Sequence, residues 1–204
     1  AIAKVMSGNT LATIGEEIDL DLPFGRLLHF RKDIEAPQPR VLVIAPLSGH
    51  FATLLRGTVE TLLRDHDVYI TDWANARDVP LSAGTFGVED YIDYIIRFLE
   101  RIGPGAHILA VCQPCVQGLA AVAAMSQENH PCTPRSMTLM AGPIDPRESP
   151  TEVNEFAVSK SLKWFETSVI STVPCRFGGS GRRVYPGFLQ LVAFMAMNMD
   201  RHRN

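Results

Sequence analysis

Short apolar runs alternate with longer stretches of helical periodicity from residue 40 onward. The run at 41–45 is continuous, which is typical of a strand buried on both faces of a sheet, and further strands are predicted at 67–71, 107–111 and 135–140. Between them, apolar residues recur three and four positions apart and predict helices over 54–63, 88–102 and 114–125. Strands joined by helices of this length connect through right-handed crossovers. The predicted fold class is therefore α/β, a mostly parallel sheet flanked by helices.

The two ends of the chain depart from this alternation. Residues 24–32 predict an antiparallel edge strand that precedes the parallel part. After Asp145 no clear strand–helix unit follows, and residues 156–170 and 186–199 predict helices on either side of a glycine-rich stretch. We interpret 1–150 as the N-terminal half of a core and 151–204 as the start of a helical cap, with the C-terminal part of the fold missing.

Composition narrows the class of protein. The net charge of −3 gives no reason to expect a nucleic-acid partner, and no apolar run reaches the roughly 18 residues of a transmembrane helix. Four cysteines are too few for a disulfide framework, so we expect a reducing, cytoplasmic location. The histidines are too scattered for a metal site, and no cofactor is predicted.

The candidate chemistry lies at the end of the third predicted parallel strand. Cys112 follows the buried run that ends at Val111, and a helix begins near Pro114, a residue suited to a first helical turn. This placement predicts the nucleophile elbow of an α/β-hydrolase, where a strained turn exposes the nucleophile. The positive end of the following helix favours a thiolate there. Cys112 is therefore the predicted catalytic residue.

Two backbone N–H groups are predicted to form the oxyanion hole. One belongs to Gln113, directly after the nucleophile, and the other to Leu47, in the loop after the first parallel strand. The adjacent Ser48 is expected to help that loop bend around a carbonyl oxygen. The usual elbow has glycine two residues before and after the nucleophile, whereas this chain has Ala110 and Pro114.

Two other interpretations of the cysteines stay open. Cys112 and Cys115 form a C-x-P-C motif at a helix start, as in thioredoxin-like redox proteins. Two strand–helix units precede the motif here, whereas one short unit does in thioredoxins. Cys112 could also be a buried structural cysteine at a strand end. A zinc site would need more ligands at metal spacing.

Several stretches of the chain resemble the intracellular polyhydroxybutyrate depolymerases, which are α/β-hydrolases. The resembling stretches are 45–56, 68–73, 111–114, 141–145, 182–189 and 197–202. The resemblance implies that Cys112 is the nucleophile, that an acyl-enzyme forms, and that poly(3-hydroxybutyrate) or its oligomers are the substrate. It also implies that the catalytic acid and histidine follow residue 204, so this chain alone would be a weakly active part. Within the chain, Asp145 and His50 are the candidate supporting residues beside Ser48.

The resulting hypothesis is an ester hydrolase in the cytoplasm, with the surface of storage granules as its candidate location and self-association as a candidate property. One alternative is an acyltransferase similar to the polyhydroxyalkanoate synthases, which also use a cysteine elbow. Another is a non-catalytic granule-binding protein on a hydrolase fold.

Overall fold

The computed structural model describes residues 2–34, 37–47 and 52–196. The chain divides into two compact units. The core unit consists of Ala1–Ala74 and Phe86–Pro143, and the helical unit consists of Asn75–Thr85 and Ile144–Asn204. Among the described helices, none is both long enough and apolar enough to span a bilayer.

A seven-stranded sheet forms the centre of the core unit. Its strands are β1 (Lys4–Ser7), β2 (Thr10–Leu22), β3 (Gly25–Lys32), β4 (Arg40–Ile44), β5 (Asp67–Trp73), β6 (His107–Val111) and β7 (Ser136–Met140). Their order is β1-β2-β3-β5-β4-β6-β7. The last four strands in this order pair in parallel, which confirms the predicted parallel arrangement and its crossovers.

The prediction of an edge strand at 24–32 is wrong in its position. This segment is β3, which pairs antiparallel with β2 on one side and with β5 on the other. A hairpin of β1 and β2 lies outside it, turning at Gly8 with φ of +58°. The hairpin escapes pattern analysis because only Ala12 and Ile14 of β2 are buried, so the alternation along this long strand is weak.

Helices cover both faces of the parallel strands. The helices are α1 (Arg56–Leu62), which follows a 3-10 turn at Ala52–Leu55, α2 (Val88–Ile102) and α3 (Pro114–Gln127). On one face, Val59 of α1 shares a buried cluster with Val41 and Val43 of β4. On the other face, α3 approaches the sheet closely at Gly118, where an added Cβ would lie 3.6 Å from Ile44. Successive residues of β4 therefore point to opposite helical layers.

The helical unit contains two helices where the sequence predicted one over 156–170. They are α4 (Glu152–Ser159) and α5 (Leu162–Ser168). Thr151 caps α4 by accepting the N–H of Asn154, and Ser161 caps α5 by accepting the N–H of Trp164. A serine cap satisfies the free N–H groups of a new helix start, so the chain breaks there and begins a second helix.

The rest of the helical unit is held to the 75–85 segment by a buried arginine. A small hairpin pairs β8 (Ser171–Thr172) with β9 (Arg183–Val184), and α6 (Gly187–Ala196) follows. Between the hairpin strands, Arg182 donates to the carbonyls of Pro80 at 2.9 Å and Gly84 at 2.7 Å. Gly179 lies so close to the same segment that an added Cβ would come within 2.8 Å of the Arg77 carbonyl.

The face of α6 that carries Phe188 and Val192 is open. These residues are one helical turn apart, and they are 68% and 61% exposed. The two side chains form an exposed apolar face on this helix.

Candidate active site

Cys112 lies in a strained turn between β6 and α3. Its φ is +68°, a region that residues other than glycine rarely adopt and that costs on the order of 1–3 kcal/mol. The side chain is exposed and its thiol is free. Its backbone N–H donates to the carbonyl of Met140, the last residue of β7, at 2.7 Å. The predicted position of Cys112 at an exposed turn after the strand agrees with this geometry.

The turn after Cys112 leads directly into α3. Pro114 is at the start of the helix, and the Cys115 N–H donates back to the Cys112 carbonyl at 3.1 Å. Gln113 has helical φ and ψ of −46° and −48°. Among the described residues its N–H has no hydrogen-bond acceptor. That N–H is therefore available at the helix start, where unpaired donors and the helix dipole attract negative charge.

Cys115 points away from the exposed thiol and into the core unit. It is fully buried, and its Sγ donates to the carbonyls of Ala110 at 3.3 Å and Met140 at 3.5 Å. Burial raises the pKa of the Cys115 thiol. A buried, protonated thiol bonded to two strand ends is suited to holding the elbow together.

The residues that follow β7 lie close to Cys115. Ala141 follows the strand with φ of +52°, so a strained residue directly follows each of the neighbouring strands β6 and β7. At Gly142 an added Cβ would lie 2.1 Å from the Cβ and 2.5 Å from the Sγ of Cys115. No larger residue fits at position 142 without moving the elbow.

Leu47 lies at the same edge of the sheet as the elbow. Ile44 of β4 pairs with Ala110 of β6. Leu47 lies three residues after Ile44, and Gln113 lies three residues after Ala110. Leu47 is 37% exposed, and its N–H has no acceptor among the residues that the structure describes. The predicted supporting residues Ser48 and His50 lie outside the described residues.

Three side chains that sequence reasoning missed hold the start of the Leu47 loop. The N–H of Ala45 donates to the hydroxyl of Thr71 at 2.9 Å. The carbonyl of Ala45 accepts the indole N–H of Trp73 at 2.8 Å and the hydroxyl of Tyr91 at 3.1 Å. Burial raises the pKa of Tyr91, so its hydroxyl stays protonated and donates. The sequence indicates these contacts only in that the three residues carry a hydroxyl or an N–H group within otherwise apolar elements.

Asp145 belongs to the helical unit and is engaged by its neighbour. Its carboxylate accepts two guanidinium N–H groups of Arg147, at 2.9 Å and 2.7 Å, and the backbone N–H of Arg147 at 3.0 Å. The hydrogen bonds from the Arg147 side chain lower the pKa of Asp145 below its usual value. The carboxylate is ionised and held in a local turn.

Comparison with known proteins links the end of the chain to one family. Residues 141–204 match the family model described as PHB de-polymerase C-terminus, which confirms the resemblance for that segment. Among curated protein sequences, none matches the chain.

Several solved structures resemble the chain at low sequence identity. The naproxen esterase (carboxylesterase NP) from Bacillus subtilis is 12% identical with a TM-score of 0.48, and the match covers 92% of this chain and 62% of that one. Carboxylesterase CesB from Bacillus subtilis is 10% identical with a TM-score of 0.43, covering 91% and 61%. A thioesterase domain from the curacin biosynthetic pathway is 13% identical with a TM-score of 0.48, covering 79% and 56%. The chain thus spans less than two thirds of the length of these structures.

Proposed function

We propose that this chain carries the nucleophile of an ester hydrolase and that Cys112 is that nucleophile. In the first step the Cys112 thiol loses its proton and Sγ attacks the ester carbonyl, the C–O bond breaks, and the departing alkoxide takes up the proton that the thiol has lost. The acyl group is then bound to Cys112 as a thioester. Water adds to the thioester, the C–S bond breaks, and the free thiol is restored.

The observation that carries this proposal is the strained, exposed position of Cys112. Cys112 has a φ of +68° at the junction of a parallel strand and a helix. Such strain is concentrated at functional sites, where it orients a side chain toward substrate. The unpaired N–H groups of Gln113 and Leu47 support the proposal, because an ester carbonyl becomes an oxyanion during the attack.

The substrate class we propose is poly(3-hydroxybutyrate) or its oligomers. The match of residues 141–204 to the depolymerase family supports it. The helical unit also offers exposed apolar side chains, including Phe156, Val158, Leu162 and Phe188. Such side chains suit a polyester whose surface carries methyl groups. We accordingly propose that the protein acts in the cytoplasm at the surface of storage granules.

A burst experiment with p-nitrophenyl butyrate tests the nucleophile. We expect nitrophenolate release equal in amount to the protein, because the activated ester acylates Cys112 even where deacylation is slow. Cys112→Ala should abolish the burst. Cys175→Ser is the matched control, because Cys175 is the other exposed thiol, and it should retain the burst.

A variant of Cys115 distinguishes ester hydrolysis from dithiol redox chemistry in the same assay. Cys115→Ser keeps a small buried donor, so we expect a burst within about twofold of wild type, as for tolerated near-isosteric core changes. A loss as large as that of Cys112→Ala would favour a paired dithiol. A wild-type protein that binds polyester particles without any burst would favour the non-catalytic granule-binding function.

A further inference from the structure

The backbone of Ala45 is more completely hydrogen-bonded than a residue beyond a strand end normally is. Its N–H and its carbonyl are both engaged by side chains, Thr71 on one side and the Trp73–Tyr91 pair on the other. A carbonyl oxygen has two lone pairs, and here two different donors approach it. Because both donors and the carbonyl are buried, water does not compete for these bonds.

The two donors are themselves held in place by packing. The rings of Trp73 and Tyr91 meet edge to face with centroids 4.4 Å apart. On the far side of the indole, Gly25 approaches so closely that an added Cβ would lie 2.6 Å from Trp73 Cε3. The indole therefore has little freedom to rotate away from Ala45.

The hydrogen-bonded backbone of Ala45 lies two residues before Leu47. Pro46 is the only residue between Ala45 and Leu47, and it is buried. Its ring fixes its own φ and restricts the conformation of Ala45. Trp73 and Tyr91 hold the Ala45 carbonyl, and the backbone from there through Pro46 has little conformational freedom. The direction of the Leu47 N–H is thus set by these two side chains.

We propose that Trp73 and Tyr91 are positioning residues for the oxyanion hole, acting through the backbone of Ala45 on the N–H of Leu47. The inference rests on the proposed function, in which that N–H stabilises the oxyanion. Neither side chain touches the substrate. Their role is to keep the donor aligned before the charge develops, which is the condition under which such a donor accelerates acyl transfer.

Two reactions of the same thiol distinguish positioning from general structural support. Acylation of Cys112 by p-nitrophenyl butyrate passes through a tetrahedral oxyanion. Alkylation of Cys112 by iodoacetamide is a displacement at carbon and forms no oxyanion. The ratio of the two rates therefore reports the oxyanion hole and not the exposure or reactivity of the thiol.

Tyr91→Phe is the principal variant, because it removes one hydroxyl and keeps the ring. We expect its acylation rate to fall on the order of tenfold, a part of the roughly 10²–10³-fold cost of deleting an oxyanion donor outright. Its alkylation rate should stay within about twofold of wild type. Tyr94→Phe is the matched control. Tyr94 lies one turn further along α2, in the same ring cluster, but its hydroxyl accepts the N–H of Phe24 instead. It should leave both rates unchanged.

A second pair of variants tests the inference if Tyr91→Phe does not fold. Thr71→Val removes the acceptor of the Ala45 N–H, whereas Thr71→Ser keeps a hydroxyl there. We expect Thr71→Val to lower the acylation-to-alkylation ratio and Thr71→Ser to restore it.

The outcomes separate the inference from the function on which it rests. An unchanged ratio in Tyr91→Phe and Thr71→Val, or an equal fall of both rates, would overturn the positioning role while Cys112 remained the nucleophile. An equal loss in Tyr94→Phe would overturn it as well. If wild type were not acylated at Cys112 at all, the proposed function would be rejected and this inference with it.

Discussion

At the scale of single residues, the elbow depends on a close fit between Cys112, Cys115 and Gly142. Cys112 is strained, and Cys115 bonds the carbonyls at the ends of both neighbouring strands. Gly142 leaves the space that the Cys115 side chain fills. The strain at Cys112 is therefore balanced by contacts that only small residues allow.

Gly142→Ala should destabilise the protein. Its new Cβ would lie 2.1 Å from Cys115 Cβ, so the elbow must shift, and we expect a loss of about 1–3 kcal/mol in the free energy of unfolding. Gly118→Ala is the control, because its Cβ would meet Ala110 and Ile44 at an ordinary 3.6 Å. In a helix it should be neutral or stabilise by up to about 1 kcal/mol. Urea unfolding of both variants decides this, and a Gly142→Ala protein as stable as wild type would contradict the fit.

The sequence predicts the position of Cys112 but not the side-chain hydrogen bonds to Ala45. Cys112 could be found because a buried run, a cysteine and a proline are adjacent, and local geometry follows from them. The bonds to Ala45 could not be found, since Thr71, Trp73 and Tyr91 reach it from β5 and α2 across the sheet. Contacts between distant segments leave no periodic signal along the chain.

At the scale of elements, the antiparallel strands are joined by a histidine. His29 of β3 lies between Glu17 of β2, at 3.1 Å, and Asp67 of β5, at 2.7 Å. Its ring stacks on Tyr69 with centroids 4.1 Å apart. Both carboxylates come from other strands, so the sequence pattern alone does not predict this arrangement.

The pairing of His29 makes part of the stability depend on pH. Burial by itself lowers the pKa of His29, but the hydrogen bonds and charges of Asp67 and Glu17 outweigh it and raise the pKa above 6.5. A raised pKa in the folded state means that the protonated form is favoured by folding. This contribution is therefore complete below the unfolded pKa of about 6.5 and is lost as the pH rises through the higher folded value.

The measurement is the free energy of unfolding at about pH 5.5 and about pH 8, across the range in which histidine titrates. We expect His29→Gln to lose more stability at the lower pH than at the higher one. His107→Gln is the control, because His107 bonds the hydroxyl of Ser136 and not a carboxylate. Equal losses for His29→Gln at both pH values would refute the contribution.

At the scale of the whole molecule, apolar surface is left open in both units. In the core unit, β7 ends the sheet among the described residues, and Met140 is 45% exposed. In the helical unit, Phe188 and Val192 form an exposed face on α6. Exposed apolar surface of this kind favours association.

We expect this chain to self-associate through such surface. Replacing Phe188 and Val192 together with serine should lower the apparent mass in light scattering at equal concentration. Val158→Ser is the control, because it removes one exposed apolar side chain of α4 without touching the α6 face. A wild-type chain that is monomeric at all concentrations would refute this expectation.

The fold of the whole molecule was the most predictable level. Short strand-like segments separated by helical stretches predict the parallel strands, and these strands are present. The errors lie where pairing partners are distant or capping residues interrupt a pattern, as in the β1–β2 hairpin and the break at Ser161.

The most direct test of the account is to identify which residue receives the acyl group from a hydroxybutyrate oligomer. The chain is mixed with the oligomer, quenched in acid and digested, and the peptides are analysed by mass spectrometry before and after hydroxylamine, which cleaves thioesters. We predict a 3-hydroxybutyryl thioester on Cys112, absent from Cys115, Cys132 and Cys175 and lost on hydroxylamine treatment. An acyl group on Cys175, or none on Cys112 while ester is still cleaved, would contradict the assignment of Cys112 as the nucleophile.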